Sequence, residues 1–322
     1  MTNIPTPPTS VIETLSHAIR TADDKVDKIQ SIQCPHVLTH SEKLYPLWLL
    51  TYWLELTHIR FIRERWNQAV QYLVKPNMKL RNGELSEEKA KEVCQKIQAL
   101  PWDSLINGFN NQGQLFQLHT YCSQDWLSSI HINHMLDLLK NDLGLTTNMS
   151  TSIQHTYFTQ QVSAAYYYGN ETYLTSKSYR AICELAQDLA TDIQNTLGMV
   201  ANTNGNHWIT LMVDFQTRKV YYGNSLGGII DEELKRVYNW WFSLHNENVF
   251  EWVQMTITEQ QDAYLCGLLA VNALAHVLDA KQFDLMDPKA VDAERINVLP
   301  HVINQHKRSD IKYDYGLQYI TN

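Results

Sequence analysis

The sequence has no closely paired cysteines, and this limits the ways in which the fold can be held together. Its five cysteines are scattered, and none forms a C-x-x-C pair: Cys34, Cys94, Cys122, Cys183 and Cys266. This spacing argues against a zinc cluster or a disulfide framework and favours a reducing intracellular setting. We predict no metal and no cofactor.

A basic surplus and a long apolar run are also missing. The formal net charge is −8, which argues against a general affinity for nucleic acid or anionic lipid. The first ten residues have neither the basic start nor the apolar stretch of a secretory signal. The most apolar run, 44–56, is too short to span a bilayer and contains Glu55. We therefore predict a soluble protein of the nucleus or cytoplasm, with no nucleic-acid or membrane partner and with an oligomeric state that the sequence leaves open.

The chain has enough hydrophobic residues, 44% of 322, for a sizeable core, and its periodicity alternates between helix and strand patterns. Helices are predicted over 45–74, 86–100, 125–140 (with Ser123 as its cap), 176–197, 231–245 and 266–278. Strands are predicted over 207–215, 218–222 and 249–255, the first of them half-buried. We predict an α+β fold with a disordered tail (1–10), an N-terminal helical region (11–110), a main domain (111–310) and a C-terminal tail (311–322).

Cys266 has the local sequence of a nucleophile. It opens the apolar helix CGLLAVNALAHVL, so its sulfur should lie near the positive end of the helix dipole, which favours the thiolate. Gly267 allows close backbone approach, and the preceding loop TEQQDAY carries two amides. The other four cysteines are predicted to be ordinary small core residues.

A base and a group that orients it are predicted on one hairpin. His207 begins the strand HWITLMVDF, and Asn224 follows the next strand in YYGNSL, seventeen residues later (224 − 207). A hairpin brings the start of its first strand beside the end of its second, so the two side chains should be neighbours. The Asn224 oxygen can then accept the imidazole N–H and fix the tautomer.

These motifs resemble the SUMO/ubiquitin-like-protein-specific cysteine proteases of the adenain-like clan. The resemblance rests on the His-Trp pair, on N-S-L, on Q-x5-C-G with Tyr264 two residues before the cysteine, and on the segment DWLSSIHIN, over residues 112–310. It implies a papain-like fold in circularly permuted His…Asn…Cys order. It also implies a peptidase or isopeptidase that cleaves after the C-terminal glycine of a ubiquitin-like modifier, most similar to SUMO, or of its conjugates.

The resemblance also implies roles for further residues. Gln260, six residues before Cys266, matches the oxyanion-hole glutamine, with Gln261 as the alternative. Trp126 and Trp208 match the tryptophans that flank a narrow tunnel for the Gly-Gly tail of the modifier.

Two departures from the family pattern affect these expectations. Asn224 stands where the family has an aspartate, which removes a charge that stabilises imidazolium. Asp214 could be considered as a substitute, but its place late in the strand predicts a surface residue. Ser128 and Ser129 replace a polar-acidic pair, so contacts with the modifier there would differ.

Two alternatives therefore remain open at this point. One is an inactive or weak modifier-binding protein, and the other is a protein acyltransferase of the same clan. His131 and His134, spaced three apart, could imitate a metal site but have no third ligand nearby in the sequence, so a structural role is predicted for both.

Overall fold

The structure is a computed structural model that describes residues 6–22, 31–33, 44–74, 85–144 and 150–318, with side chains as far as residue 309. The chain divides into two compact units, Met1–Gln68 and Ala69–Asn322. None of the described helices combines the length and the apolarity that a membrane crossing requires.

The first unit is small and mainly helical. Its elements are α1 (Thr9–Ala22), β1 (Ser31–Gln33), β2 (Leu44–Pro46) and the first part of α2 (Trp48–Val74). The two short strands pair antiparallel. Side chains from α1, β1 and α2 form its buried cluster: Ile12, Ile32, Leu49, Leu50 and Trp53.

The second unit begins with helices and then builds a sheet. Its helices are α3 (Glu87–Gln98), α4 (Ser129–Asp142), α5 (Tyr157–Tyr168), α6 (Asn170–Thr175), α7 (Arg180–Ala190), α8 (Glu232–Ser243), α9 (Cys266–Leu278) and α10 (Val291–Gln318). Its strands are β3 (Thr151–Gln154), β4 (Thr196–Thr203), β5 (His207–Asp214), β6 (Lys219–Gly223) and β7 (Glu251–Gln254). A 3-10 helix spans Leu115–Cys122, and a shorter one spans Lys177–Tyr179.

The five strands of this unit form one mixed sheet in the order β3-β4-β5-β6-β7. The central pairs β4–β5 and β5–β6 are antiparallel, whereas β3 and β7 run parallel to their neighbours at the two edges. In the β5–β6 hairpin Thr210 pairs with Gly223. This register places residue 224, just past the end of β6, next to the start of β5.

Both faces of β5 are buried, because helices cover the sheet on both sides. Alternate residues of β5 (Ile209, Leu211 and Val213) join the large apolar cluster with α5, α7 and α8. The residues between them face α9, to which the Thr210 hydroxyl donates a hydrogen bond at the Ala270 carbonyl (2.6 Å). The prediction of a half-buried strand is therefore wrong: all six residues between His207 and Asp214 are buried.

Several predicted elements are confirmed and others are corrected. The elements α2, α3, β5, β6, α8, β7 and α9 lie where the periodicity predicted them, and the Ser86 hydroxyl caps α3 as expected. The helix predicted over 125–140 instead begins at Ser129, with Ser128 as its cap, and the one predicted over 176–197 is α7, which ends at Ala190. Part of that second prediction is β4. The elements α1, β1, β2, β3, β4, α5, α6 and α10 had not been predicted, and β2 takes the first two residues of the helix predicted over 45–74.

The predicted domain limits at 10/11, 110/111 and 310/311 stay predictions. The division between the two compact units falls after Gln68. In the second unit, α3, which precedes residue 110, packs against α10. The predicted disordered tail (1–10) lies partly outside the described residues, and α1 includes its last two. The backbone of α10 continues to Gln318, inside the predicted C-terminal tail.

The aromatic cluster beneath the sheet yields a stability prediction. Trp241 is fully buried, packs edge-on against Phe158 and donates its indole N–H to the Tyr173 hydroxyl at 2.9 Å. Trp241→Ala removes this packing and should lower the free energy of unfolding by about 3–5 kcal/mol. Urea denaturation measures the change. Trp126→Ala is the control: Trp126 is 49% exposed, so a loss as large as that of Trp241→Ala would contradict the prediction.

Candidate active site

Cys266 is the first residue of α9 and lies where that helix meets the sheet. Its side chain is only 3% exposed. The backbone N–H groups of Trp208 and Gly267 lie near enough to the thiol to lower its pKa, and the Trp208 ring contacts the helix at Gly267. Because Trp208 is the second residue of β5, this contact places the thiol beside the His207–Trp208 segment, as the sequence predicted.

The close approach at this point requires a glycine. A Cβ atom on Gly267 would lie 2.6 Å from Ile132 Cδ1 and 3.1 Å from Trp208 Cδ1. The first of these contacts is too short, so any other residue here would displace the Ile132 side chain and crowd the tryptophan ring. Gly267 thus allows α9, α4 and β5 to meet around the thiol.

Burial makes the resting thiol a weak acid. Loss of solvent around Cys266 raises the thiol pKa above its ordinary value, and this effect exceeds the lowering by the backbone N–H donors of Trp208 and Gly267. The negative charge of Asp262 raises the pKa further. The N–H groups at the start of α9 lower the thiol pKa, as expected of a helix N-terminus, but burial outweighs them in the resting protein.

His207 and Asn224 are in direct contact. The His207 Nε2 atom lies 2.8 Å from Asn224 Oδ1, and the backbone N–H of Leu226 donates to the same atom at 3.1 Å. A backbone N–H can only donate, so this amide atom is the oxygen. Nε2 must then carry a proton, which leaves Nδ1 as the basic nitrogen of the neutral ring.

The Cys266 thiol lies near the backbone of Trp208, the residue next to His207, but within the described part of the chain it is not hydrogen-bonded to the His207 ring. Catalytic hydrogen bonds of this kind are often long without substrate and shorten when substrate binds. The roles predicted for His207, Asn224 and Cys266 in catalysis stay predictions.

Gln260 is held beside this pair by the residue that follows Asn224. Its backbone N–H donates to the Ser225 carbonyl at 2.7 Å, and the Ser225 hydroxyl donates to Gln260 Oε1 at 3.0 Å. Gln260 Nε2 donates to Asp262 Oδ1 at 3.2 Å. Gln261, the alternative considered from sequence, is exposed, so the structure favours Gln260 as the amide built into the site.

The two predicted tunnel tryptophans lie on joined segments. The Trp208 indole N–H donates to the Leu127 carbonyl at 2.9 Å, which ties β5 to the residue that follows Trp126. Trp208 is 8% exposed and Trp126 is 49% exposed. The Trp208 ring is therefore packed into the protein, and the Trp126 ring is accessible from solvent.

A buried arginine supports two segments of the site, the one before Trp126 and the one before Cys266. Arg295 of α10 donates to the backbone carbonyls of Thr120 and Asp125, and its guanidinium lies 5.4 Å from the centre of the Tyr264 ring. The Tyr264 hydroxyl in turn donates to Asp292 at 2.8 Å. The segment before Trp126 and the segment before Cys266 are thereby fastened to the same helix.

The remaining candidate residues lie in structural positions. Asp214 ends β5 at the turn, far from His207, and accepts the Thr217 N–H at 3.0 Å. His131 uses both ring nitrogens, with Ser128 and Gln117 as partners, and burial lowers its pKa to about 3. His134 is also buried, which lowers its pKa to about 4.

The other described cysteines lie in different elements from Cys266: Cys94 in α3, Cys122 in the longer 3-10 helix and Cys183 in α7. Cys94 and Cys122 are buried, Cys183 is half-buried, and Cys34 lies outside the described residues. Burial raises the pKa of Cys122 to about 12. Among the described residues, no group of His, Cys, Asp and Glu side chains is arranged to hold a metal ion.

Sequence reasoning missed Ser225, Asp262 and Arg295. The first two lie within motifs that the sequence had already singled out, N-S-L and Q-Q-D-A-Y. The Asp262 carboxylate also accepts the N–H groups of Tyr264 and Leu265, both at 2.8 Å. Aspartate often accepts backbone N–H groups two or three residues further on in a turn, and this local tendency could have indicated the contact. No local signal marks Arg295.

Comparisons with known proteins give matches in structure and none in sequence. No family model matches the chain, and no curated protein matches its sequence. The C-terminal Ulp1 protease domain, solved in complex with Smt3, the yeast ortholog of SUMO, matches with a TM-score of 0.51 and 18% identity. The match covers 69% of this chain and 96% of that domain.

Two further structures give similar matches. The Ulp1-like SUMO protease catalytic domain of Chaetomium thermophilum has a TM-score of 0.50 and 15% identity, covering 72% of this chain and 95% of its own. SUMO protease Ulp1 with its catalytic cysteine oxidised to a sulfinic acid has a TM-score of 0.50 and 17% identity, covering 69% and 97%. The chain therefore has the α+β fold of the Ulp1-like SUMO proteases, and the resemblance predicted from the motifs is confirmed at the level of fold.

The packing at Gly267 can be tested by a paired substitution. Gly267→Ala should lower the free energy of unfolding by about 1–3 kcal/mol, because the added methyl group displaces Ile132 or Trp208. Ile132→Val removes the atom that lies closest to that methyl group. The double variant should therefore lose less stability than the sum of the two single variants, as measured by urea denaturation. Additive losses would show that the clash with Ile132 is not the cause.

Proposed function

We propose that the protein is a cysteine peptidase or isopeptidase that cleaves after the C-terminal glycine of a ubiquitin-like modifier, most similar to SUMO. One observation carries the proposal: the His207–Asn224 hydrogen bond of 2.8 Å lies beside the N-terminus of the helix that begins with Cys266. A nucleophile, a base with a fixed tautomer and an amide donor thus occur together in a protease fold.

The chemistry follows from this arrangement. His207 Nδ1 takes the thiol proton, and Cys266 Sγ attacks the carbonyl carbon of the terminal glycine. The N–H groups of Gln260 and Cys266 stabilise the oxyanion. His207 then protonates the departing amine, which leaves a thioester. A water molecule, deprotonated by His207, attacks the thioester and releases the carboxylate, and the proton returns to the thiol.

The tryptophan pair supports a glycine-ended substrate. Trp208 is fixed by its hydrogen bond to Leu127, the residue that follows Trp126, and the Trp126 ring is exposed. If a substrate chain passes between the two rings, as the family resemblance implies, it must lack side chains there, and a Gly-Gly tail satisfies this requirement. The proposed substrate is the modifier tail, as a precursor or as a conjugate.

Two observations favour a second candidate, a modifier-binding protein with weak or absent activity. Burial raises the pKa of the Cys266 thiol. Asn224 also provides a neutral acceptor, where a carboxylate would stabilise imidazolium. The binding cleft of such a protein would be the same, and only its chemistry would differ.

Active-site probes separate the two candidates. SUMO, NEDD8 and ubiquitin carrying a C-terminal propargylamide should be compared, with adduct formation followed by intact mass. The wild-type protein should form an adduct with the SUMO probe, Cys266→Ala should form none, and Cys183→Ala is the matched control that should react as the wild type does. Binding without an adduct would support the inactive candidate. An adduct on any other cysteine would overturn the assignment.

The orienting residue provides an independent test. Asn224→Asp keeps an oxygen beside His207 Nε2 and adds a charge that stabilises the imidazolium formed during attack. A charged acceptor strengthens this hydrogen bond in the transition state by about 1.4 kcal/mol. The value of kcat/KM for hydrolysis of the modifier substrate should therefore rise about tenfold. Asn224→Ala should lower it because the tautomer is no longer fixed. A variant carrying Asp that is slower than the wild type would contradict this role.

A further inference from the structure

The loop before Cys266 is organised around one carboxylate oxygen. Asp262 Oδ1 accepts hydrogen bonds from Gln260 Nε2 (3.2 Å), from the Tyr264 N–H (2.8 Å) and from the Leu265 N–H (2.8 Å). Hydrogen bonds to an ionised acceptor are stronger than those between neutral groups. This single atom therefore connects the Gln260 side chain to the backbone that leads into α9.

These contacts fix the orientation of the Gln260 amide. The Asp262 carboxylate can only accept, so the amide atom facing it is Nε2, and the Ser225 hydroxyl then donates to Oε1 at 3.0 Å. One hydrogen of Nε2 is used by Asp262. The other Nε2 hydrogen has no acceptor among the described residues, and it is free to donate a hydrogen bond to an oxyanion.

Ser225 connects this amide to the hairpin that carries the base. It follows Asn224 directly, is 2% exposed, and its carbonyl accepts the Gln260 backbone N–H at 2.7 Å. Ser225 thus links Asn224, its neighbour in the chain, to Gln260 through two hydrogen bonds. Because Gln260 has no direct bond to His207 or Asn224 among the described residues, its side chain can move without breaking the His207–Asn224 hydrogen bond.

We propose that Asp262 is a positioning residue that holds the Gln260 amide ready for the oxyanion, an inference that rests on the proposed hydrolase function. Its position also has an unfavourable effect, because its charge lies near Cys266 and opposes thiolate formation. Asp262 therefore acts in two opposite directions, in favour of the oxyanion and against the nucleophile. This opposition makes its role measurable.

Two assays on Asp262→Ala should change in opposite directions. Hydrolysis of the fluorogenic C-terminal amide of the modifier requires the oxyanion donor, so kcat should fall about tenfold or more, with KM within about twofold. Alkylation of Cys266 by iodoacetamide at pH 7.5 uses the thiolate and does not involve the oxyanion donor, so its rate, followed by peptide mass spectrometry, should rise about twofold to tenfold. Damage to the fold would not raise alkylation while KM is preserved.

Matched variants identify the cause. Asp262→Asn keeps an acceptor oxygen without the charge, so it should recover most of kcat and retain the faster alkylation. Glu259→Gln removes an equal charge from an exposed position in the same loop and should leave both rates unchanged. If Asp262 acts through Gln260, the double variant Gln260→Ala/Asp262→Ala should have a kcat within about threefold of that of Gln260→Ala.

The outcomes separate this inference from the proposed function. Independent, multiplicative losses in the double variant, or slower alkylation in Asp262→Ala, would overturn the role of Asp262 while leaving the hydrolase intact. If the wild-type protein hydrolyses no modifier substrate, the proposed function fails. A crystal structure of Asp262→Ala then decides the positioning role. Loss of the Ser225–Gln260 side-chain contact would support it, and an unchanged Gln260 amide would overturn it.

Discussion

The close packing of α9 against the sheet is the constraint on which the site depends. Three positions make it possible: Gly267, where no Cβ fits beside Ile132 and Trp208; Gly198, where an added Cβ would lie 2.9 Å from Leu274 Cδ1; and Thr210, whose hydroxyl donates to Ala270. Each lies where helix backbone or side chain meets strand without room for more atoms. The thiol is therefore held beside β5, the strand that begins with His207. Neither residue needs a loop of its own to be positioned.

Burial gives this arrangement precision and opposes its chemistry. The same packing that positions Cys266 removes water from it, and desolvation raises the pKa of its thiol. The helix N-terminus and the backbone N–H donors of Trp208 and Gly267 act against this shift without reversing it. The site compensates through its donors: Gln260 is already oriented by Ser225 and Asp262 before any charge develops. In the proposed mechanism, the stabilisation is directed to the oxyanion more than to the resting thiolate.

How much of this could be predicted from sequence depended on the distance between the residues that interact. His207 and Asn224 belong to one hairpin, whose turn and alternation are local, so their contact was predictable. Gln260 was identified through the family resemblance, by its spacing from Cys266. Its partner Ser225 lies 35 residues away, and although Ser225 belongs to the N-S-L motif, nothing local in the sequence pairs it with Gln260. The strand β4 was missed because its first residues continued the pattern of a preceding helix, which in fact ends at Ala190. Arg295 lies 170 residues from Asp125, the residue whose carbonyl it binds, and only tertiary packing brings the two together.

The neutral acceptor and the buried thiol have a common consequence. Asn224 fixes the tautomer of His207, since its oxygen accepts the Nε2–H at 2.8 Å, but it adds no charge to stabilise the imidazolium ring. Burial likewise disfavours the charged thiol. Both effects favour the neutral pair over the thiolate–imidazolium pair at rest. Proton transfer from Cys266 to His207 is then most favourable when the sulfur can attack a substrate carbonyl at the same time. The negative charge then forms on the carbonyl oxygen, to which the Gln260 amide donates a hydrogen bond. Within the proposed mechanism, the nucleophile is activated mainly in the presence of its substrate.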